Sequence, residues 1–207
     1  KMGGSRTFLE IDDNVTVDDL LKGIIVQSGN DASIALAECL GGTEDDFAKL
    51  MNVYAERLGM TNTNFVNSSG WPDDNHYSTV NDLGILSNAI IRDFPNLYTY
   101  FKMEEFTYND ITQPNRNKLL YQVQGADGLK TGFTKESGWG IAATALRNDR
   151  RITVVINGTN SSRSRLNESS NLINWAFNQT SQKTLVEKDQ FIKEVDVWLG
   201  SESSINS

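Results

Sequence analysis

Two short stretches about a hundred residues apart hold the residue types that acyl transfer without histidine requires. The first is Ser28-Gly29-Asn30, in "IVQSGNDAS". The second is Lys130-Thr131-Gly132, inside "DGLKTGFT" (127–134). A lysine whose pKa is lowered by burial or by neighbouring cations can take a proton from a serine. A hydroxyl and an amide nearby can hold a carbonyl or a carboxylate. Gly132 has no side chain, so another backbone can lie alongside it, and Lys130 can attract a carboxylate.

Other chemistries fail on residue count. His76 is the only histidine, it lies in the loop "PDDNHYS", and no G-x-S-x-G elbow accompanies it, so a His-based triad is not expected. One histidine and one cysteine at unrelated places do not make a zinc site, and no metal or cofactor is expected. "GADGLKT" lacks the glycine before the lysine that a phosphate loop needs, and a strand-like run follows it where a helix should. The net charge of −8 and a sequence pI near 4.7 exclude an electrostatic grip on nucleic acid. Cys39 rules out an internal disulfide and reads as a buried thiol on a helix face.

The elements that must position these residues are legible from periodicity. "TVDDLLKGIIVQS" (16–28) reads as a short helix with an acidic first turn, and "NDASIALAECLGG" resumes helical spacing as far as Gly41-Gly42. Ser28 and Asn30 thus fall at a break between helices. Residues 43–59 form a helix with Thr43 as N-cap and Gly59 as stop, and residues 78–95 another ending before Pro95. A long polar loop joins these two. "GWGIAATALRNDRRITVVINGT" reads as a β-hairpin turning at Asn148-Asp149, with Lys130-Thr131-Gly132 opening a strand before it. "SRLNESSNLINWAFNQ" returns to helix, with Leu166, Leu172, Ile173, Trp175 and Phe177 mostly toward the core. The tail from about Thr184 is strand-like. Helices around an antiparallel hairpin give an α+β class.

Each candidate also has a plainer reading. Ser28 and Asn30 can be capping residues, Lys130 a solvated strand-end lysine, and Arg116 a loop ion pair. Trp139 and Trp175 read as core.

The two triplets, together with "LLKGIIVQSGNDASIALAE", "FAKLMNVYAERLGMTNTNFVNSSG", "NRNKLL" and "DGLKTGFT", resemble the D-alanyl-D-alanine carboxypeptidases of low molecular mass, penicillin-binding relatives of the serine β-lactamases. The resemblance covers roughly residues 3–180. It implies a β-lactamase/transpeptidase-like fold, an antiparallel sheet with helices on both sides. It also implies a serine-type carboxypeptidase that removes the terminal D-alanine of peptidoglycan stem peptides and binds β-lactams, at a site in the bacterial cell envelope outside the cytoplasm and associated with the membrane. Ser28 matches the family's relay serine, Asn30 the asparagine that orients the substrate amide, and Lys130 the lysine that polarises the relay and holds the substrate carboxylate. Thr131 supplies a hydroxyl to that carboxylate, and the strand from Gly132 through Phe133 pairs with substrate. Arg116 and Arg165 resemble arginines near the carboxylate pocket. Phe133 stands where the family often has histidine.

One departure concerns the nucleophile. The family's S-x-x-K signature occurs nowhere in these 207 residues, because none of the lysines has a serine three positions before it. The resemblance places that segment before residue 1, in the same protein or as a separate chain. The expected layout is therefore a partial penicillin-binding domain over 1–180 and the start of a β-rich domain or linker over 181–207. An apolar trough lined by Ile24, Ile25, Val26, Ala35 and Leu36 is expected where the nucleophile helix would pack. A non-catalytic cell-wall-peptide or β-lactam binding module and a serine β-lactamase are the alternative readings.

Overall fold

The structure, a computed structural model, describes residues 3–187, 190–196, 198 and 204–206. Helices open where a short hydroxyl side chain can accept a free backbone N–H of the first turn. Thr16, Thr43, Thr79 and Ser161 each accept the N–H three residues on, and so start α1 (Val17–Lys22), α3 (Glu44–Leu58), α4 (Val80–Asp93) and α6 (Ser162–Gln179). The run read as one helix over 16–28 divides. After α1 the chain widens into a π-helical turn, Gly23–Gln27, which ends on Ser28 in the left-handed region at φ 60°. α2 (Asn30–Gly41) starts two residues later.

A three-stranded antiparallel sheet forms the other half, in the order β3 (Ala126–Thr134), β4 (Gly138–Arg147), β5 (Arg150–Thr159). Asn148 and Asp149 both take positive φ, the conformation of a two-residue turn that matches strand twist. Alternation along β4 separates the two faces. Ile141, Ala143 and Ala145 pack with Ile173 and Leu166 of α6 and with Leu119 of the short helix α5 (Leu119–Gln122). On the opposite face Thr144 meets Tyr98 of a 3₁₀ turn (Leu97–Lys102), and Thr153 of β5 bonds Asn88 of α4. Helices therefore cover both faces of the antiparallel sheet, the β-lactamase-like arrangement expected. A two-stranded hairpin, β1 (Glu105–Tyr108) with β2 (Ile111–Pro114), sits under the π turn. β6 (Glu194–Asp196) pairs with β7 (Ser204–Asn206) in the tail. Residues 188–189, 197, 199–203 and 207 of the segment assigned to a second domain lie outside the described residues, as do residues 1 and 2.

Several expectations are corrected. The trough is covered in part by the chain itself, since Ile25, Val26 and Leu36 are buried and Ile24 and Ala35 only partly so. Ile25 and Val26 are buried against Phe106 of β1, while Leu36 packs with Leu20 and Ala32, and Ile24 and Ala35 lie against that cluster. Cys39 is exposed although its spacing puts it on the face of buried Ala32 and Leu36, because it lies in the last turn of α2, where Glu38 and Leu40 beside it are exposed too. On α6 the buried stripe runs through Arg165, Ser169 and Ile173, a spacing of four that leaves Leu172 and Trp175 facing solvent. Lys130 does not open its strand, since β3 begins four residues earlier at Ala126.

Candidate active site

Ser28 reaches the site because of how its backbone is forced. The left-handed conformation costs a non-glycine residue about 1 kcal/mol, and it turns the side chain out of the helical path toward β3. Gly29 must follow, because a Cβ there would stand 2.1 Å from Thr7 Oγ1 and 2.9 Å from Asp31 Oδ1. Thr7 belongs to an N-terminal strap held by one carboxylate. Asp31, in the first turn of α2, accepts the backbone N–H groups of Thr7 (2.8 Å), Phe8 (2.9 Å) and Leu9 (3.2 Å). The helix break and the strap thus fix each other.

Lys130 comes from β3, 102 residues away in sequence. Its Nζ donates to Ser28 Oγ at 2.7 Å and to the Thr131 carbonyl at 3.2 Å. Burial, then the nearby guanidinium groups of Arg116 and Arg165, push its pKa down from 10.5 to about 8. No carboxylate partners it among the described residues. The cleft between them, of about 1280 Å³, is lined by Ser28, Asn30, Arg116, Lys130 to Phe133, and Arg165, so every sequence-derived candidate faces one space.

Their local roles differ. Thr131 is nearly buried, whereas Gly132 is exposed with open space where a Cβ would point, leaving the strand approachable from the cleft. Phe133 is exposed and stacks on Trp139 of β4 with ring centroids 4.3 Å apart. Arg165 is buried and anchored. Its Nη1 donates to the carbonyls of Gly132 (3.3 Å) and Gly140 (3.5 Å), its guanidinium covers the Trp139 ring, and burial lowers its pKa. Arg116 is exposed, and among the described residues its side chain reaches Gln113 Oε1 alone, at 3.5 Å. Asn30 is partly committed. Its Nδ2 donates to the Gly3 carbonyl at 2.9 Å, so the strap occupies the donor expected to orient a substrate amide.

Some lining residues were not anticipated. Trp71 and Pro72 stand in the polar loop between α3 and α4, and Trp139 faces the cleft instead of the core assigned to it. The signal for Trp71 was an aromatic inside an otherwise polar loop, "NSSGWPDD". His76 takes no part. Its Nδ1 accepts the Val66 N–H at 3.2 Å within the same loop, and burial lowers its pKa.

The D-alanyl-D-alanine carboxypeptidase family, Peptidase_S11, matches residues 1–160. The chain belongs to that family. D-alanyl-D-alanine carboxypeptidase DacC of Escherichia coli is 42% identical over 205 residues, covering 99% of this chain and 51% of that protein. Penicillin-binding protein 5 from Haemophilus influenzae superposes with a TM-score of 0.92 at 37% identity, over 98% of this chain and 60% of that one. Penicillin-binding protein D2 from Listeria monocytogenes, solved in an ampicillin-bound form, superposes at 0.74 with 34% identity, over 79% of this chain and 68% of that one. The chain spans about half the length of the curated relatives it matches.

Proposed function

We propose that the protein to which this chain belongs is a serine-type D-Ala-D-Ala carboxypeptidase. It would remove the terminal D-alanine from peptidoglycan stem peptides and bind β-lactams at the same cleft. The observation that carries the reading is the 2.7 Å contact from Lys130 Nζ to Ser28 Oγ, in a cleft where three cations converge and, among the described residues, none forms an ion pair.

The arrangement suits one half of an acyl transfer. Because Lys130 donates to Ser28 Oγ, the Ser28 O–H is left free to donate into the cleft. A leaving amine placed there can take that proton, while the lysine stabilises the oxygen and re-supplies it. The substrate's terminal carboxylate fits beside Lys130, the Thr131 hydroxyl and Arg116, where unpaired positive charge favours an anion. The exposed edge at Gly132 accommodates an extended peptide. No S-x-x-K pair lies within residues 1–207, so this reading draws the attacking serine and its lysine from elsewhere in the protein. The reading places the protein in the cell envelope outside the cytoplasm, with membrane attachment through other parts of it. No helix among the described residues is long and apolar enough to cross a membrane.

The test uses the full-length protein and a peptide ending in D-Ala-D-Ala, with release of D-alanine as the readout. Lys130→Ala and Ser28→Ala should each slow release about 100-fold or more, the size of a lost acid–base or electrostatic partner. Undiminished release in both variants overturns the assignment. Binding of peptide without release, and without a penicillin adduct that survives denaturation, would instead make the protein a binding module.

A further inference from the structure

The sequence "NRN" places one exposed arginine between two buried asparagines. Arg116 faces the cleft, while Asn115 and Asn117 point inward and are 5% and 0% exposed. A fully buried amide must satisfy both a donor and an acceptor, and Asn117 does so with two different elements. Its Oδ1 accepts the Leu119 N–H at 3.1 Å, which starts α5. Its Nδ2 donates to the carbonyl of Gly128 on β3 at 3.0 Å, two residues before Lys130. Its own N–H donates to Asn115 Oδ1 at 2.8 Å, and Asn115 Nδ2 donates to the Met103 carbonyl at 2.8 Å.

The acceptor end is equally fixed. A Cβ on Gly128 would approach Tyr98 Oη to 2.7 Å, so the tyrosine closes the strand from the other side. That hydroxyl donates to Asp127 Oδ1 at 2.8 Å, and Arg151 grips the same carboxylate with two bonds of 2.7 and 2.8 Å. A displacement of the arginine loop therefore cannot be absorbed by β3.

We propose that Asn117 is a positioning residue, fastening the loop that carries Arg116 to the β3 carbonyl beside Lys130 and so setting the spacing of the two cations across the cleft. Among the described residues the Arg116 side chain has no firmer anchor than Gln113, at a long 3.5 Å. Only the backbone on either side of it is held, and Asn117 joins that backbone to β3. This deepens the carboxypeptidase reading, on which it rests for the claim that the paired cations receive a substrate carboxylate.

The spacing can be read without substrate, from the titration of Lys130 in the ligand-free chain. The charged groups lining the cleft beside it are Arg116, Arg165, Lys118, Lys135 and Glu136. With ¹³C-labelled lysine and Lys130→Arg to assign the signal, the wild type should titrate near 8. Arg116→Gln should raise the midpoint by about 0.5–1 pH unit by removing a like charge. Asn117→Ser keeps a hydroxyl that can cap α5 but cannot reach Gly128, and should raise it nearly as much. The double variant should titrate no higher than Arg116→Gln alone, because both changes act through one guanidinium. A folded Asn117→Ser protein with the wild-type midpoint overturns the proposal, and so does a shift that adds to that of Arg116→Gln. If Asn117→Ser does not fold, Asn115→Ser loosens the other end of the bracket and should give the same shift. Loss of fold in both, with Arg116→Gln folded, would assign the pair to the core and also overturn it. None of these outcomes depends on whether a D-alanyl peptide is turned over, so this inference and the carboxypeptidase reading fail separately.

Discussion

Replacing Lys130 with methionine should make the protein more stable at neutral pH. Burial, Arg116 and Arg165 hold the lysine's pKa near 8 in the folded chain against 10.5 for an ordinary lysine. At about 1.4 kcal/mol per pH unit, carrying that charge in the folded state costs about 3 kcal/mol below pH 8. Methionine removes the charge but forfeits the bonds to Ser28 Oγ and to the Thr131 carbonyl, at about 1 kcal/mol or less each. The net gain should be about 1–2 kcal/mol at pH 7. The unfolded chain binds more protons than the folded one between pH 8 and 10.5, so the wild type gains stability from this group as pH rises. The advantage of Lys130→Met is therefore full below pH 8, shrinks above it and reverses near pH 10.5, where only the lost hydrogen bonds remain. Urea unfolding of both proteins at several pH values between 7 and 10.5 measures the difference, with Lys135→Met as the exposed control. A gain that does not change with pH, or no gain at pH 7, would refute the claim that the lysine is held against its own desolvation.

Asp127→Asn should destabilise the protein by about 2–3 kcal/mol, because it leaves Arg151 without its ionic partner. Burial raises the Asp127 pKa, but bonds from Arg151, Thr144 and Tyr98 outweigh it and hold the value below 3.8, so the penalty measured by urea unfolding should shrink as pH falls below 3.8. Gly29→Ala should cost about 1–3 kcal/mol in the same assay, with faster hydrogen exchange at Thr7, Phe8 and Leu9 as the strap is displaced. Asp149→Gly should add about 0.5 kcal/mol, since glycine relieves the positive φ of the hairpin turn. Residues 1–207 on their own should form no penicillin adduct that survives denaturing electrophoresis, because the chain holds no S-x-x-K pair.

What the sequence disclosed was what depends on neighbours along the chain. Thr43 marks a helix start through a bond three residues long, and Asn148-Asp149 marks a turn through local backbone preference. Ser28, Lys130, Arg116 and Arg165 were found through their triplets and the family resemblance, and they meet in one cleft. What stayed hidden depends on packing between distant segments. Nothing local in "GIIVQ" distinguishes a π turn from an α turn, and the segments packed against it, the strap at Gly23 and Phe106 under Ile25 and Val26, are distant in sequence. Cys39 and Trp175 sit on apolar-looking stripes, and which side of a stripe is covered depends on the partner element. Asn117 reads as one more loop polar residue until β3 is placed beside it.

The π turn at Gly23–Gln27 has a consequence for how this stretch can change length. Such a turn is a helical turn carrying one residue more than its hydrogen bonds need. Deleting one residue there would leave a sound α turn, and because the wider winding already absorbs the extra residue, the elements on either side would keep nearly the same relative rotation. Leu20 could keep its cluster and Ser28 its place in the cleft, with the change confined to the turn between them. A deletion inside α1, which has no such slack, would instead turn the two apart by about 100°. Between Thr16 and Asn30 the π turn is thus the one place where a family member could lose a residue and still place its serine by the same route.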